Sequence, residues 1–356
     1  MAGVYSRQRL ADIRGACASG QLDLAQSVAD TLRLTRGDTL CKYLLEVACN
    51  NGQLVVAQWL VTAFGLAAAD ARSNDNYALR GACRGGHLAT AQWLVATFGL
   101  GPADARSKDN EALRAACAGG YLETAQWLAA AFDLGPADAR SDDNVALRGA
   151  CAAGHLAVAQ WLAVTFGLTA ADARSTDNSA LRLACGEDHL AIAQWLAAAF
   201  GLGPADARCN DNYALRAACA NGHLAVAQWL AAAFGLGPAD ARSHSNDALS
   251  SACAGGHLEV ARWLVASFGL DAADARDWDN AALRGACRYG HLAVARWLAA
   301  AFGLGPADAR ANDNEALRHA CAAANLEMVR WLAATFGLSA EDACRETPAD
   351  LSLYSD

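Results

Sequence analysis

The residues with chemistry to offer come in two recurring sets. Cys and His stand four apart at Cys83/His87, Cys151/His155, Cys185/His189, Cys219/His223, Cys253/His257 and Cys287/His291. Thiolate and imidazole are zinc ligands, but each copy supplies two ligands where a structural site uses four. A glycine-type helix end also falls between the two in most copies, and Gln53, Tyr121 and Asn325 take the His position elsewhere. A buried thiol and a helix-start His bonding to backbone are the expected roles, so no metal and no cofactor are expected. The second set is Asp and Arg, as in Asp104 with Arg106 and Asp109 with Arg114. Paired charges can do acid–base work. Repeated along the whole chain, they are expected to form ladders of caps and ion pairs between neighbours. The sequence has no GxSxG, Walker loop or HExxH, and the chain is not expected to be an enzyme.

These sets recur because the chain repeats. Ser107–Arg140, SKDNEALRAACAGGYLETAQWLAAAFDLGPADAR, is one copy of a 34-residue period, the mark of a stacked-repeat architecture. The domain reading is a leader over 1–8, a degenerate first repeat over 9–40, nine 34-residue repeats over 41–346 and a half-repeat over 347–356. The first repeat carries Ser27 where later ones carry Trp, as suits a cap whose outer side meets water. Thr347-Pro348 reads as an N-cap with proline at the first helical position.

Within a repeat, Asp109 or Asn110 is placed to cap a first helix bearing the stripe Ala112, Leu113, Ala116, Cys117. Gly119-Gly120 ends that helix after about two turns. A second helix follows from about Tyr121 to Phe132, with Leu122, Ala125, Leu128 and Phe132 on one face. Trp127 lies off that stripe, which calls for burial on a second side. On that reading, replacing the matching Trp161 by Ala would cost about 3–5 kcal/mol. The connectors Gly101–Asp104, Thr169–Asp172 and Ser339–Asp342 put an acid at the third helical position, so a short helical turn is expected.

The stretch Ala78–Val95, ALRGACRGGHLATAQWLV, resembles the ankyrin repeat, TPLHxAAxxGHLxVVxLLL. Leu79, Ala82-Cys83, Gly86-His87-Leu88 and Trp93-Leu94 carry the match, Arg80 stands at the family His, and the likeness extends over residues 9–356. It departs from the family in lacking Thr-Pro, in its period, and in having FGLxxADAR for the Gly-Ala-Asp finger. A tetratricopeptide array shares the period but wants Trp and Gly in its first helix. The resemblance implies an all-α, right-handed-twisting solenoid of about ten helix pairs, while the connector spacing and these departures lead to the expectation of little or no β-hairpin.

The chain is 356 residues long, 54% hydrophobic, 18% charged, with formal charge −9 and pI about 5.3. That balance disfavours nucleic acid and anionic membranes as partners. Its longest apolar runs, such as Trp59–Ala69, fall short of a bilayer span. Nine cysteines in one repeat position read as small core residues, which favours a reducing, cytoplasmic setting.

Recognition should use positions where repeats differ. The resemblance puts the turns and first helices on a concave face. The variable positions include Lys108 and Trp278 before the Asp-Asn pair, His244 before its counterpart Ser245-Asn246, and Tyr77 and Tyr213 in the first helix. Trp278 with Arg288 and Tyr289, extended to His244 or His319, makes the candidate patch, since Trp, Tyr and Arg are the usual interface anchors. The function expected is a monomeric, non-catalytic scaffold binding a partner protein. The alternative is a structural protein that assembles with copies of itself.

Overall fold

Alanine and leucine are the main residues of stretches such as Leu156–Phe166, both strong helix formers, and glycines stand at their ends. The computed structural model accordingly builds the chain from helices, with no strand among the described residues, which are 7–339 and Asp342. The half-repeat cap expected over 347–356 lies outside them, as do residues 1–6 of the expected leader. The chain divides into two compact units, Met1–Ala180 and Leu181–Asp356.

In the first unit, helices Arg7–Ser19 and Leu22–Leu32 form the opening pair, and Thr39–Asn50 and Leu54–Phe64 the next. The pattern then becomes regular: a one-turn helix, a first helix and a second helix, as in Pro102–Ala105, Ser107–Ala118 and Leu122–Ala131. The second unit repeats it, for example in Pro204–Ala207, Cys209–Ala220 and Leu224–Phe234. Each unit is thus an all-α stack of helix pairs, with one-turn helices as connectors.

The core is the recurring stripe. Leu79, Leu113 and Leu147 in the first unit, and Leu215, Leu249 and Leu283 in the second, are fully buried, as are Cys83, Cys117 and Cys151 with Ala82, Ala116 and Ala150, and Cys219 and Cys253 with Ala218 and Ala252. Each buried leucine contributes about 1.5–3 kcal/mol. The second-helix tryptophans are half-buried instead. Trp127 meets the edge of Phe132 at 5.9 Å and 72°, and Trp161 meets Phe166 at 5.5 Å and 78°. One side of each indole remains in water, which lowers the cost expected for Trp161→Ala.

The acid at the third helical position caps the connector as its spacing indicates: Asp104 Oδ2 accepts from Gly101 N at 2.8 Å, and Asp138 Oδ2 from Gly135 N at 2.8 Å. The Asp-Asn pair, however, is not a cap. Lys108, Asp109 and Asn110 all take left-handed conformation, with φ of 52°, 54° and 59°, and no side chain caps this helix. Single αL residues are ordinary, whereas three in succession make a left-handed turn at about 1–2 kcal/mol each for most side chains. Asn and Asp bear that conformation best, which accounts for their recurrence here.

Arginine of the first helix holds the turn. Arg80 Nε donates to the Asp75 carbonyl at 2.8 Å and its Nη2 to the Asn74 carbonyl at 2.7 Å. Arg216 does the same for Asp211 and Asn210 in the second unit. The guanidinium then reaches forward to an acid of the next repeat, Arg80 to Glu111 and Arg216 to Asp247.

Candidate functional site

The Cys/His set separates in space. Cys83, Cys151 and Cys287 are buried free thiols, and burial pushes each up to about 12. The histidines turn toward the preceding repeat. His223 Nε2 lies 2.9 Å from the Gly186 carbonyl. At Gly120, with φ of 78°, an added Cβ would stand 2.5 Å from the His155 ring. Backbone and neighbour both favour glycine there, although Asp188 takes the equivalent place, at φ 62°, beside His223. Among the described residues no three His, Cys, Asp or Glu side chains gather as metal ligands would.

The Asp/Arg set forms a ladder between repeats. Arg72 pairs with Asp104, Arg106 with Asp138 and Arg140 with Asp172 in the first unit. Arg208 with Asp240, Arg242 with Asp274 and Arg276 with Asp308 continue it in the second. Arg106 therefore pairs with the next repeat and not with Asp104 of its own. Arg114 likewise pairs with Asp142, not Asp109.

Trp278 sits in the left-handed turn at φ 48° and is 67% exposed. Its carbonyl accepts from Arg284 at 2.9 Å, and Arg284 pairs with Glu315. Tyr289 is 60% exposed at the other end of the first helix, with the Arg288 guanidinium 5.5 Å from its ring. About eight residues of helix, roughly 12 Å, separate the two ends, so Trp278 and the Arg288–Tyr289 pair flank the helix and are not one tight cluster.

His319 belongs with Arg288. It is half-buried, 3.4 Å from Glu315, and its pKa is lowered by burial first and by Arg288, Arg318 and Arg284 after it. His244 is exposed at its own turn, 3.9 Å from Asp211. Ser250 replaces arginine in that repeat, its hydroxyl donating to the Asp247 carbonyl at 3.3 Å.

The remaining candidates are tied to their neighbours. Tyr77 lies under Arg80 and Arg84, at 5.4 and 5.9 Å, and Tyr213 under Arg182 and Arg216, at 4.9 and 5.5 Å. Lys108 pairs with Asp75 at 3.0 Å. Sequence reasoning passed over Glu46, a 5% exposed carboxylate in the position where later repeats place arginine. That change of sign is the signal that would have found it.

Stacked helix pairs, a Gly-His start to several second helices, as at Gly86-His87 and Gly222-His223, and helical connectors define an ankyrin-type helical repeat protein. The family model described as ankyrin repeats (three copies) matches residues 44–143 and 200–277, half of the chain, and the chain belongs to that family. No curated protein matches it. No helix among the described residues is long and apolar enough to cross a membrane.

Proposed function

We propose that this chain is a non-catalytic scaffold that binds a partner protein on the face carrying its left-handed turns and first helices, the concave face of the family resemblance. Ankyrin repeats generally mediate protein–protein interaction, and the family is typically non-catalytic. The observation that carries the reading is Trp278. A tryptophan two-thirds exposed, in a conformation unfavourable to bulky side chains, gains little for the fold. Arg288 and Tyr289 would supply a second anchor, with His319 behind them and His244 at the preceding turn. The same proposal sets the protein in a reducing cytoplasm, with most of its described thiols packed in the core, and treats it as a monomer.

Affinity capture with the intact chain and with a Trp278→Ala, Tyr289→Ala chain tests this. A protein held by the first and lost by the second, at unchanged thermal stability, is the expected result. Equal capture by both would overturn the assignment of these anchors. Recovery of the chain alone from both would favour self-assembly.

A further inference from the structure

The first unit contains a cavity of about 630 Å³ lined by Arg14, Tyr43, Glu46, Asn50, Asn74 and Tyr77 among others. It lies between helices Arg7–Ser19 and Thr39–Asn50 and the turn at Asn74. This repeat opens on Asp38, in extended conformation, and has no left-handed turn for an arginine to hold. Glu46 occupies the arginine's place and accepts from Ser73 Oγ at 2.9 Å and Asn74 Nδ2 at 2.7 Å, both at Oε1. Oε2 receives neither bond. Glu46 is 5% exposed and forms no ion pair among the described residues.

A carboxylate withdrawn from water with only neutral donors has lost hydration that an opposite charge would restore. Arg14 also lines the cavity, but it is exposed and keeps its own hydration. A cationic guest therefore gains more from Glu46 than an anionic guest gains from Arg14. Tyr43, 41% exposed, offers a ring face to a flat cation. Tyr77 already shows such contacts on its own ring, from Arg80 and Arg84.

We propose that this cavity seats a basic side chain of a partner peptide, arginine in preference to lysine, with its head on Glu46 and its stem along Tyr43. The planar guanidinium suits both the carboxylate and the ring better than an ammonium does. The volume, well beyond one side chain, leaves room for flanking peptide. The site lies in the other unit from Trp278 and is tested with isolated peptides, so either proposal can fail alone.

The experiment titrates the full chain, at about 0.15 M salt to screen its overall charge, with acetyl-Ala-Ala-Arg-Ala-Ala-amide. Peptides carrying citrulline, the neutral isostere, or glutamate at the central position serve as comparisons. The arginine peptide should bind at least tenfold more tightly than the citrulline peptide. In a Glu46→Gln chain that preference should shrink to within twofold, while Asp109→Asn, which removes the same charge at an exposed site, should leave it unchanged. Arg14→Ala should leave arginine binding equal or tighter. Equal binding of arginine and citrulline by the unaltered chain would overturn the proposal without recourse to any variant. Binding of none of the peptides would do the same. So would a preference for glutamate that disappears with Arg14→Ala, which would make the cavity an anion site.

Discussion

Arg106 holds Asp138 of the following repeat through two parallel hydrogen bonds, Nε to Oδ1 at 2.8 Å and Nη2 to Oδ2 at 3.0 Å. The same guanidinium donates to the Asp133 carbonyl at 3.1 Å, and Asp138 also accepts from Gly135 N. One side-chain pair thus closes a connector, satisfies a helix end and fixes the next repeat against the last.

Asp138→Ala removes the connector's cap together with the inter-repeat bond. Loss of a cap costs about 0.5–2 kcal/mol, and the urea midpoint should fall accordingly. Asp109→Ala, in the same repeat but exposed and facing no ladder arginine, tests the left-handed turn alone and should cost about 1 kcal/mol. Equal midpoints for Asp138→Ala and the unaltered chain would remove the ladder from the account of stability.

The ladder also predicts a pH dependence. Arg106 lowers the Asp138 carboxyl most, burial opposes this, and Gly135 N–H and Asn110 lower it further. Asp240 is lowered in the same way, first by Arg208. An unfolded aspartate titrates near 3.9, so the native pKa lies below the unfolded one. Stability from these pairs is complete above the unfolded value and is lost as pH falls through the native value. Melting temperatures followed by circular dichroism should hold from pH 7 to about 5 and drop below about 4. Asp138→Asn should flatten that drop, and a fall between pH 7 and 5 would point to other groups.

Trp278→Gly should separate fold from recognition. Glycine relieves the left-handed turn of about 1–2 kcal/mol and returns about half as much through chain entropy. The unfolding free energy from urea titration should be unchanged or raised by up to about 1 kcal/mol, while partner capture is lost. A loss of more than about 1 kcal/mol would mean that the indole packs on its own repeat.

Trp161→Ala should cost about 2–3 kcal/mol, at or below the bottom of the range for fully buried aromatic truncations. Trp161 is half-buried and its contact with Phe166 is edge-on, so water already meets one side of the site. A cost near 5 kcal/mol would require a closed cavity.

Much of this molecule is local and therefore legible in the sequence. The period, the paired helices, the leucine and cysteine stripe and the aspartate at the third position of each connector all act within a few residues of themselves. The left-handed turn was not legible, because Asp109-Asn110 suits an N-cap and an αL turn equally well. What decides between them is Arg114 closing on the Lys108 carbonyl at 3.2 Å from six residues on, together with Asp138 at the far end of the same repeat, which Asn110 reaches. Partners in the ladder were equally hidden: Arg106 is two residues from Asp104 along the chain, yet stacking brings it to Asp138. Exposure of Trp278 and burial of Glu46 are properties of surfaces that exist only once repeats are stacked. The sequence by itself determined the repeat and its helices, since propensity and capping are short-range. Tertiary structure decided which charges meet, which turns are left-handed and which side chains face outward, since those follow from contacts about thirty residues apart.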